Sequence, residues 1–248
     1  NKYEPLVTDV DIDFCRSRKI CNDEEDNLGG KMTVTQDTLR KYKWGDLALR
    51  SYQLDGVNWL LSCYNNNHGC ILSDEMGLGK TCQIIGMLTV IKGRNITDKP
   101  HLVVCPRSVL ENWEQEVHRF SPALNVLLYI GEKEARSDTA QLMKASKVKN
   151  KCDVLLTTYE MCLKDNQFIS SISWDTLTVD EGHRLKNSES LLYKTLETWS
   201  IHTRILLTGT PLQNNLRELY SLLSFVDNSK FKLSRADKFV QKFSNENE

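Results

Sequence analysis

Ile71-Leu72-Ser73-Asp74-Glu75-Met76-Gly77-Leu78-Gly79-Lys80-Thr81 decides the fold of this chain. A short apolar run, read as a buried strand, enters a glycine-rich turn. The turn ends in Gly-Lys-Thr, just before the helical segment Cys82–Ile91. Strand, glycine turn and helix start, in that order, are the setting of a phosphate-binding loop. Backbone N–H groups of Gly77, Gly79 and Lys80 can surround a phosphate, helped by the helix N-terminus. Lys80 would reach the β- and γ-phosphates of a nucleotide, and the Thr81 hydroxyl would ligate Mg²⁺. Asp74 stands where the general pattern has its first glycine. On its own the segment also reads as a surface loop with a lysine.

A second segment supplies the other half of such a site. Trp174-Asp175-Thr176-Leu177-Thr178-Val179 reads as a strand and runs into Asp180-Glu181-Gly182-His183. A carboxylate at a strand's carboxyl end can hold Mg²⁺ opposite a phosphate loop, which is the role expected of Asp180. Glu181, the next carboxylate, can polarise an attacking water. Either motif alone could be an ordinary turn. Both in this order, each at a strand end, point to a nucleotide and Mg²⁺ site.

Outward from these two segments, strand-like and helix-like stretches alternate. His101–Cys105, Val126–Tyr129, Val154–Thr158, Thr176–Asp180 and Arg204–Thr208 read as strands. Tyr52–Leu61, Val109–Phe120, Glu134–Val148, Glu160–Ser171 (with a break), Glu189–Trp199 and Asn215–Val226 read as helices. Apolar strands alternating with helices imply an α/β fold, a mostly parallel sheet with helices on both faces. Ligands in such a sheet bind at the strands' carboxyl ends, where Lys80, Asp180 and Thr208-Gly209-Thr210 all fall. Residues 1–38 show no sustained period and contain Asp23-Glu24-Glu25-Asp26 and Gly29-Gly30, so they read as an acidic, partly disordered segment.

Composition sets the remaining bounds. The chain has 248 residues, 40% hydrophobic and 26% charged, enough for one large core or two small ones. It holds no apolar run long enough to cross a bilayer, and no membrane partner is expected. Asn1–Asp13 is polar and acidic rather than a secretory leader. Eight cysteines lack a repeated pair spacing, and Cys70, Cys105 and Cys152 sit in or beside strands, so they read as buried reduced thiols. A net charge of −1 means that a nucleic-acid partner would need a local basic surface.

Other polar residues fall where a plain sheet does not need them. Gln53 precedes the phosphate loop beside Tyr52; its amide can bond adenine bidentately, or it is a solvent-facing helical glutamine. Tyr52 could stack on a base or cap the core. Leu207-Thr208-Gly209-Thr210-Pro211 ends a strand in small hydroxyl residues and a forced turn. It either relays nucleotide state to a neighbouring surface or merely terminates the strand. Trp113 is expected to pack its helix rather than stack on a base.

Leu49–Leu60, Asp74–Thr81, Asp180–Asn187 and Leu207–Asn214 together resemble the motifs of the Snf-type ATPases of helicase superfamily 2. Asp74 fits that pattern, because the family loop usually reads Asp-Glu-Met-Gly-Leu-Gly-Lys-Thr. Gly182 departs from the usual alanine. Gly69–Leu72, Leu155–Glu160, Cys162–Asp165 and Glu218–Val226 look most like a branch activated by poly(ADP-ribose), although no ADP-ribose-binding module is recognisable.

The resemblance implies a RecA-like P-loop NTPase lobe over 39–248, with ATP and Mg²⁺ as ligands. Tyr52, Gln53, Asp74, Gly77, Gly79, Lys80 and Thr81 would line the nucleotide. Lys80, Asp180, Glu181 and His183 would serve catalysis, with His183 coupling the acid pair to Thr208 and Thr210; a purely structural histidine is the alternative. Zinc is not expected, since no second His or Cys stands at ligand spacing from His183.

Arg107, Ser108, Thr158 and Tyr159, with Arg184, Lys186 and Asn187, are the family-positioned candidates for the DNA phosphate backbone. Taken without the family, Arg107 is a solvated arginine. Relatives use two such lobes with ATP between them, and the second supplies arginines for the transferring phosphoryl group. This chain accounts for one lobe, and the second is read as absent from it. The implied activity is a nuclear, ATP-dependent translocase acting on duplex DNA and nucleosomes. The alternative is a nucleotide- and DNA-binding regulatory module without turnover. A metabolic P-loop kinase leaves Leu207–Asn214 unexplained.

Overall fold

The computed structural model describes residues 33–144, 152–209 and 215–244. Among them, β1 (Cys70–Leu72), β2 (His101–Cys105), β3 (Val126–Tyr129), β4 (Val154–Thr158), β5 (Trp174–Val179) and β6 (Ile201–Leu207) form one sheet. Its order is β1-β6-β5-β2-β4-β3, and every pairing is parallel. The central strands β2, β4 and β5 are buried at every position, as a sheet covered on both faces requires. Period-two alternation then divides each strand between two cores. Val103 and Cys105 of β2 join one, while Leu102 and Val104 join the other.

The first core receives α1 (Gln36–Lys41), α2 (Ser51–Asn65), α3 (Lys80–Gly93) and α4 (Leu110–Phe120). The second receives α6 (Tyr159–Lys164), α7 (Asn166–Ile169), α8 (Leu191–Glu197) and α9 (Leu216–Val226). α5 (Lys133–Lys144) follows β3, and α10 (Ala236–Ser244) packs on α9. This is the RecA-like α/β arrangement expected. α3 is buried without interruption from Cys82 to Ile91. A helix apolar all round belongs inside a core, and each buried Ile, Leu or Val there stabilises it by about 1.5–3 kcal/mol. The helix that offers its N-terminus to the phosphate loop is therefore the most firmly embedded one.

Several boundaries differ from expectation for local reasons. The break expected within the helical stretch 160–171 falls at Asp165 (φ −115°, ψ 35°). There the carboxylate accepts hydrogen bonds from Tyr129 Oη at 3.0 Å and Arg136 Nε at 2.6 Å. α8 is shorter than 189–199, because Ser190 caps it by accepting from the Tyr193 N–H. β6 begins three residues before Arg204, since Ile201 pairs with Trp174. The boundary at residue 38 falls inside α1, which Thr35 caps. Val34 is buried beneath it, and its N–H donates to Asn58 Oδ1 at 2.7 Å. Residues 33–38 are thus folded onto the core. The acidic run at 23–26, the extension of α5 to Val148 and Thr210–Asn214 lie outside the described residues. Among the described residues, no helix is long and apolar enough to cross a membrane.

The amino-terminal edge of the sheet holds a buried polar cluster. Tyr64 Oη donates to Asp175 Oδ2 at 2.9 Å, and His101 Nδ1 stands 3.0 Å from Thr176 Oγ1 and 3.6 Å from Asp175 Oδ2. Burial pushes the His101 pKa down to about 4, outweighing the carboxylates of Asp175 and Asp153. An unfolded histidine titrates near 6.5. Between these values the unfolded chain binds the proton and the folded one does not, so this contribution is complete above about pH 6.5 and lost as pH falls towards 4. About 2 kcal/mol of unfolding free energy should disappear from this site between pH 6.5 and 5. Urea unfolding at both pH values, beside His101→Gln, checks it: the variant should lose correspondingly less.

Candidate nucleotide-binding site

β1, β6 and β5 are consecutive in the sheet, with Leu72 in register with Leu207 and Leu206 with Val179. Their carboxyl ends open side by side, each step about 5 Å. β1 leads into the glycine loop, β5 into Asp180-Glu181, and β6 into Thr208-Gly209. Parallel pairing thus brings together residues that are more than a hundred positions apart in sequence.

The loop has the form that a phosphate needs. Gly77 and Gly79 adopt left-handed φ values of 84° and 80°, which only glycine takes without cost. A Cβ at Gly79 would lie 2.5 Å from Gln53 Nε2 and 2.9 Å from Cys82 Sγ, whereas nothing stands within 4 Å of one at Gly77. The first is a packed hinge and the second an open rim. Gly79 caps α3 with no side chain over the first turn, leaving that end free for an anion. Thr81 is half-buried in the same turn. Lys80 Nζ donates to the carbonyls of Asp74 at 2.8 Å and Glu75 at 3.1 Å, folding the ammonium over its own loop. A Cβ at Gly209 would come 2.6 Å from Met76 Cγ and 3.7 Å from Lys80 Nζ, so β6 delivers its turn directly onto the loop. Thr208 is buried, and its N–H donates to Leu72 O at 3.1 Å.

Two of the nucleotide-lining candidates are held by bonds within the protein. Asp74 is buried and its Oδ2 accepts from Gln83 Nε2 at 3.0 Å, so its carboxylate braces the loop onto α3. Gln53 does reach the loop, but both ends of its amide are bonded within the protein. Nε2 donates to Leu78 O at 3.2 Å, and Oε1 accepts from Arg50 N at 2.9 Å. A base could engage it only by replacing one of these bonds. Tyr52 is half-buried in the same turn of α2.

Asp180 is held from several sides. Its N–H donates to Val104 O at 2.9 Å, and its Oδ1 accepts the Glu181 N–H at 2.9 Å. Its Oδ2 accepts the Trp113 indole N–H at 2.9 Å, and its carbonyl accepts the Tyr159 hydroxyl. Glu181 takes a left-handed backbone (φ 51°, ψ 50°), an uncommon conformation for a side-chain-bearing residue. His183 Nδ1 lies 3.1 Å from Glu181 Oε2, without hydrogen-bond alignment. The glycine loop, the Thr81 hydroxyl and the fixed Asp180 carboxylate are donors of the kind that Mg²⁺ and a polyphosphate take.

The second row of candidates lies on the next strands. β2 and β4 are neighbours, and Cys105 registers with Thr158. Arg107 and Ser108 are exposed on the loop after β2, with Arg107 Nη1 3.3 Å from Glu111 Oε1 in a solvent-facing pair that constrains little. Arg184 is exposed, its guanidinium 4.7 Å over the Tyr159 ring. Lys186 pairs with Glu218 at 3.3 Å, and exposed Asn187 accepts the Glu189 N–H at 2.9 Å. Thr158 and Tyr159 are both buried, and the Tyr159 hydroxyl is bonded to Asp180 O. The Tyr159 ring packs in the second core.

Residues 52–248 match the SNF2-related domain family. The chain belongs to the SNF2 family. It is 52% identical over 210 residues (85% of its length) to chromodomain-helicase-DNA-binding protein 1-like of Mus musculus. It is 50% identical over 214 residues (86%) to the protein of the same name from Danio rerio. It spans 23% and 21% of those relatives. The SWI2/SNF2 ATPase core of Sulfolobus solfataricus, solved in complex with double-stranded DNA, superposes with a TM-score of 0.67 at 34% identity. That match covers 79% of this chain and 39% of the other.

Within this SNF2 domain, Gly182 packs against β6. A Cβ there would meet Leu206 Cβ at 3.0 Å and Leu207 O at 3.3 Å, so the alanine usual in the family would need a shift of a few tenths of an ångström. Trp113 and Tyr159 are the SNF2-domain residues whose link to the acid pair the sequence reading missed. The available signal was general: a buried indole or phenol requires an acceptor.

Proposed function

We propose that this SNF2 domain is the ATP-binding first lobe of a motor that hydrolyses ATP to move along double-stranded DNA and remodel nucleosomes in the nucleus. Within the family we place it in the branch of the chromodomain-helicase-DNA-binding protein 1-like remodellers, those activated by poly(ADP-ribose). The observation that carries the reading is the convergence of the glycine loop, Asp180-Glu181 and Thr208-Gly209 at three neighbouring strand ends.

Lys80 leaves its loop carbonyls to meet the β- and γ-phosphates, and the α3 N-terminus receives their charge. Mg²⁺, held by Thr81 and Asp180, would neutralise phosphate-oxygen charge. Glu181 orients the water that bonds to the γ-phosphorus as the bond to the bridging oxygen breaks and ADP departs. His183 steadies the Glu181 carboxylate. Gln53, on exchanging one of its present bonds, and Tyr52 would line the base. Arg107, Ser108, Arg184, Lys186 and Asn187 offer sequence-independent contacts to DNA phosphates. A second lobe closes the cleft and brings arginines to the transferring phosphoryl group.

This chain alone should therefore bind Mg-ATP yet turn it over slowly, with weak duplex-DNA binding that falls as salt rises. Steady-state phosphate release, with and without duplex DNA and nucleosomes, beside a Lys80→Ala control, is the test. Strong DNA-stimulated turnover by these 248 residues, lost in the control, would overturn the half-site reading.

A further inference from the structure

We propose that Trp113 and Tyr159 are positioning residues that fix the carboxylate of Asp180 for metal binding; this rests on the reading of Asp180 as a metal-holding residue. The two side chains come from different elements, α4 and α6, and converge on one residue. The Trp113 indole N–H meets Oδ2 at 2.9 Å, and the Tyr159 hydroxyl meets the main-chain carbonyl. Both rings are almost wholly buried, Trp113 at 1% and Tyr159 at 4% exposure.

An indole N–H can only donate, and a hydrogen bond to a carboxylate is stronger and more directional than one between neutral groups. With Oδ1 occupied by the Glu181 N–H and Oδ2 by Trp113, the carboxylate cannot rotate, and its remaining lone pairs keep one direction. Tyr159 fixes the backbone from which that carboxylate hangs. Partners that orient a metal ligand in this way typically change metal affinity when removed. A structural role alone, in which Asp180 merely satisfies a buried indole, predicts lower stability with no change in Mg²⁺ dependence.

Binding of N-methylanthraniloyl-labelled ATP to the 248-residue chain, titrated in Mg²⁺ and in EDTA, separates these roles. Trp113→Phe keeps the aromatic packing and removes the donor. The Mg²⁺ concentration for half-maximal tight binding should rise about 10-fold, with affinity in EDTA changed by less than about twofold. Tyr159→Phe keeps the ring and loses only the hydroxyl. It should raise the same midpoint about threefold, and it gives an independent reading if Trp113→Phe melts too low to titrate. In an Asp180→Asn background neither change should move the midpoint further. If Asp180→Asn raises the midpoint while Trp113→Phe and Tyr159→Phe leave it within about twofold of the parent, the positioning role is refuted. If Asp180→Asn itself leaves Mg²⁺ dependence unaltered, the metal-holding reading fails, and the proposal falls with it.

Discussion

Glu181→Gln in the two-lobed protein is expected to cut ATP turnover by about 100- to 10,000-fold, the usual contribution of a positioned acid or base. Nucleotide affinity should stay within about threefold of the parent, because the loss falls on a step after binding. The change is close to isosteric. It leaves the left-handed backbone at 181 as it was and keeps a polar atom within reach of His183. What disappears is the charge that orients water. Steady-state phosphate release measures the first quantity and equilibrium titration the second. Turnover at the parental rate would take Glu181 out of the mechanism.

Lys80→Ala acts earlier, on binding. A charge-assisted contact to phosphate is worth about 1.5–3 kcal/mol, so Mg-ATP affinity should fall by about 10- to 100-fold. The fold should survive. Among the described residues Nζ is bonded only to the carbonyls of Asp74 and Glu75 in its own loop, and the helix beneath stays embedded. Calorimetric titration beside a thermal melt tests both halves. Unchanged affinity in a folded variant would remove Lys80 from the site.

The elements that were legible in the sequence share a physical cause. β2, β4 and β5 are fully buried, and full burial writes itself as an unbroken apolar or Thr-rich run. The glycine loop was legible because left-handed φ at 77 and 79 leaves few residue choices. The start of β6 was not legible: Ile201-His202-Thr203-Arg204 mixes exposed and buried positions at the sheet's amino end. Asp74 and Gln53 were recognised as candidates for the nucleotide, yet their orientation depends on Gln83, Leu78 and Arg50, which no local pattern specifies. Tyr159 follows a strand that ends near the expected DNA surface, so its neighbours suggested a phosphate contact. Its hydroxyl turns inward because a residue 21 positions later offers a carbonyl there. Contacts between elements distant in sequence set the aim of a side chain, and composition or period carries no record of them.

The backbone at Glu181 has a consequence for how this sequence can evolve. A side-chain-bearing residue held in the left-handed region costs about 1–2 kcal/mol, against a net domain stability of about 5–15 kcal/mol. Glycine or asparagine would sit at that position with less strain. Random drift and selection for thermal endurance both push against the acid, and only the demand for chemistry retains it. A descendant released from ATP hydrolysis should therefore lose this glutamate early, exchanging a spent catalyst for a more comfortable turn.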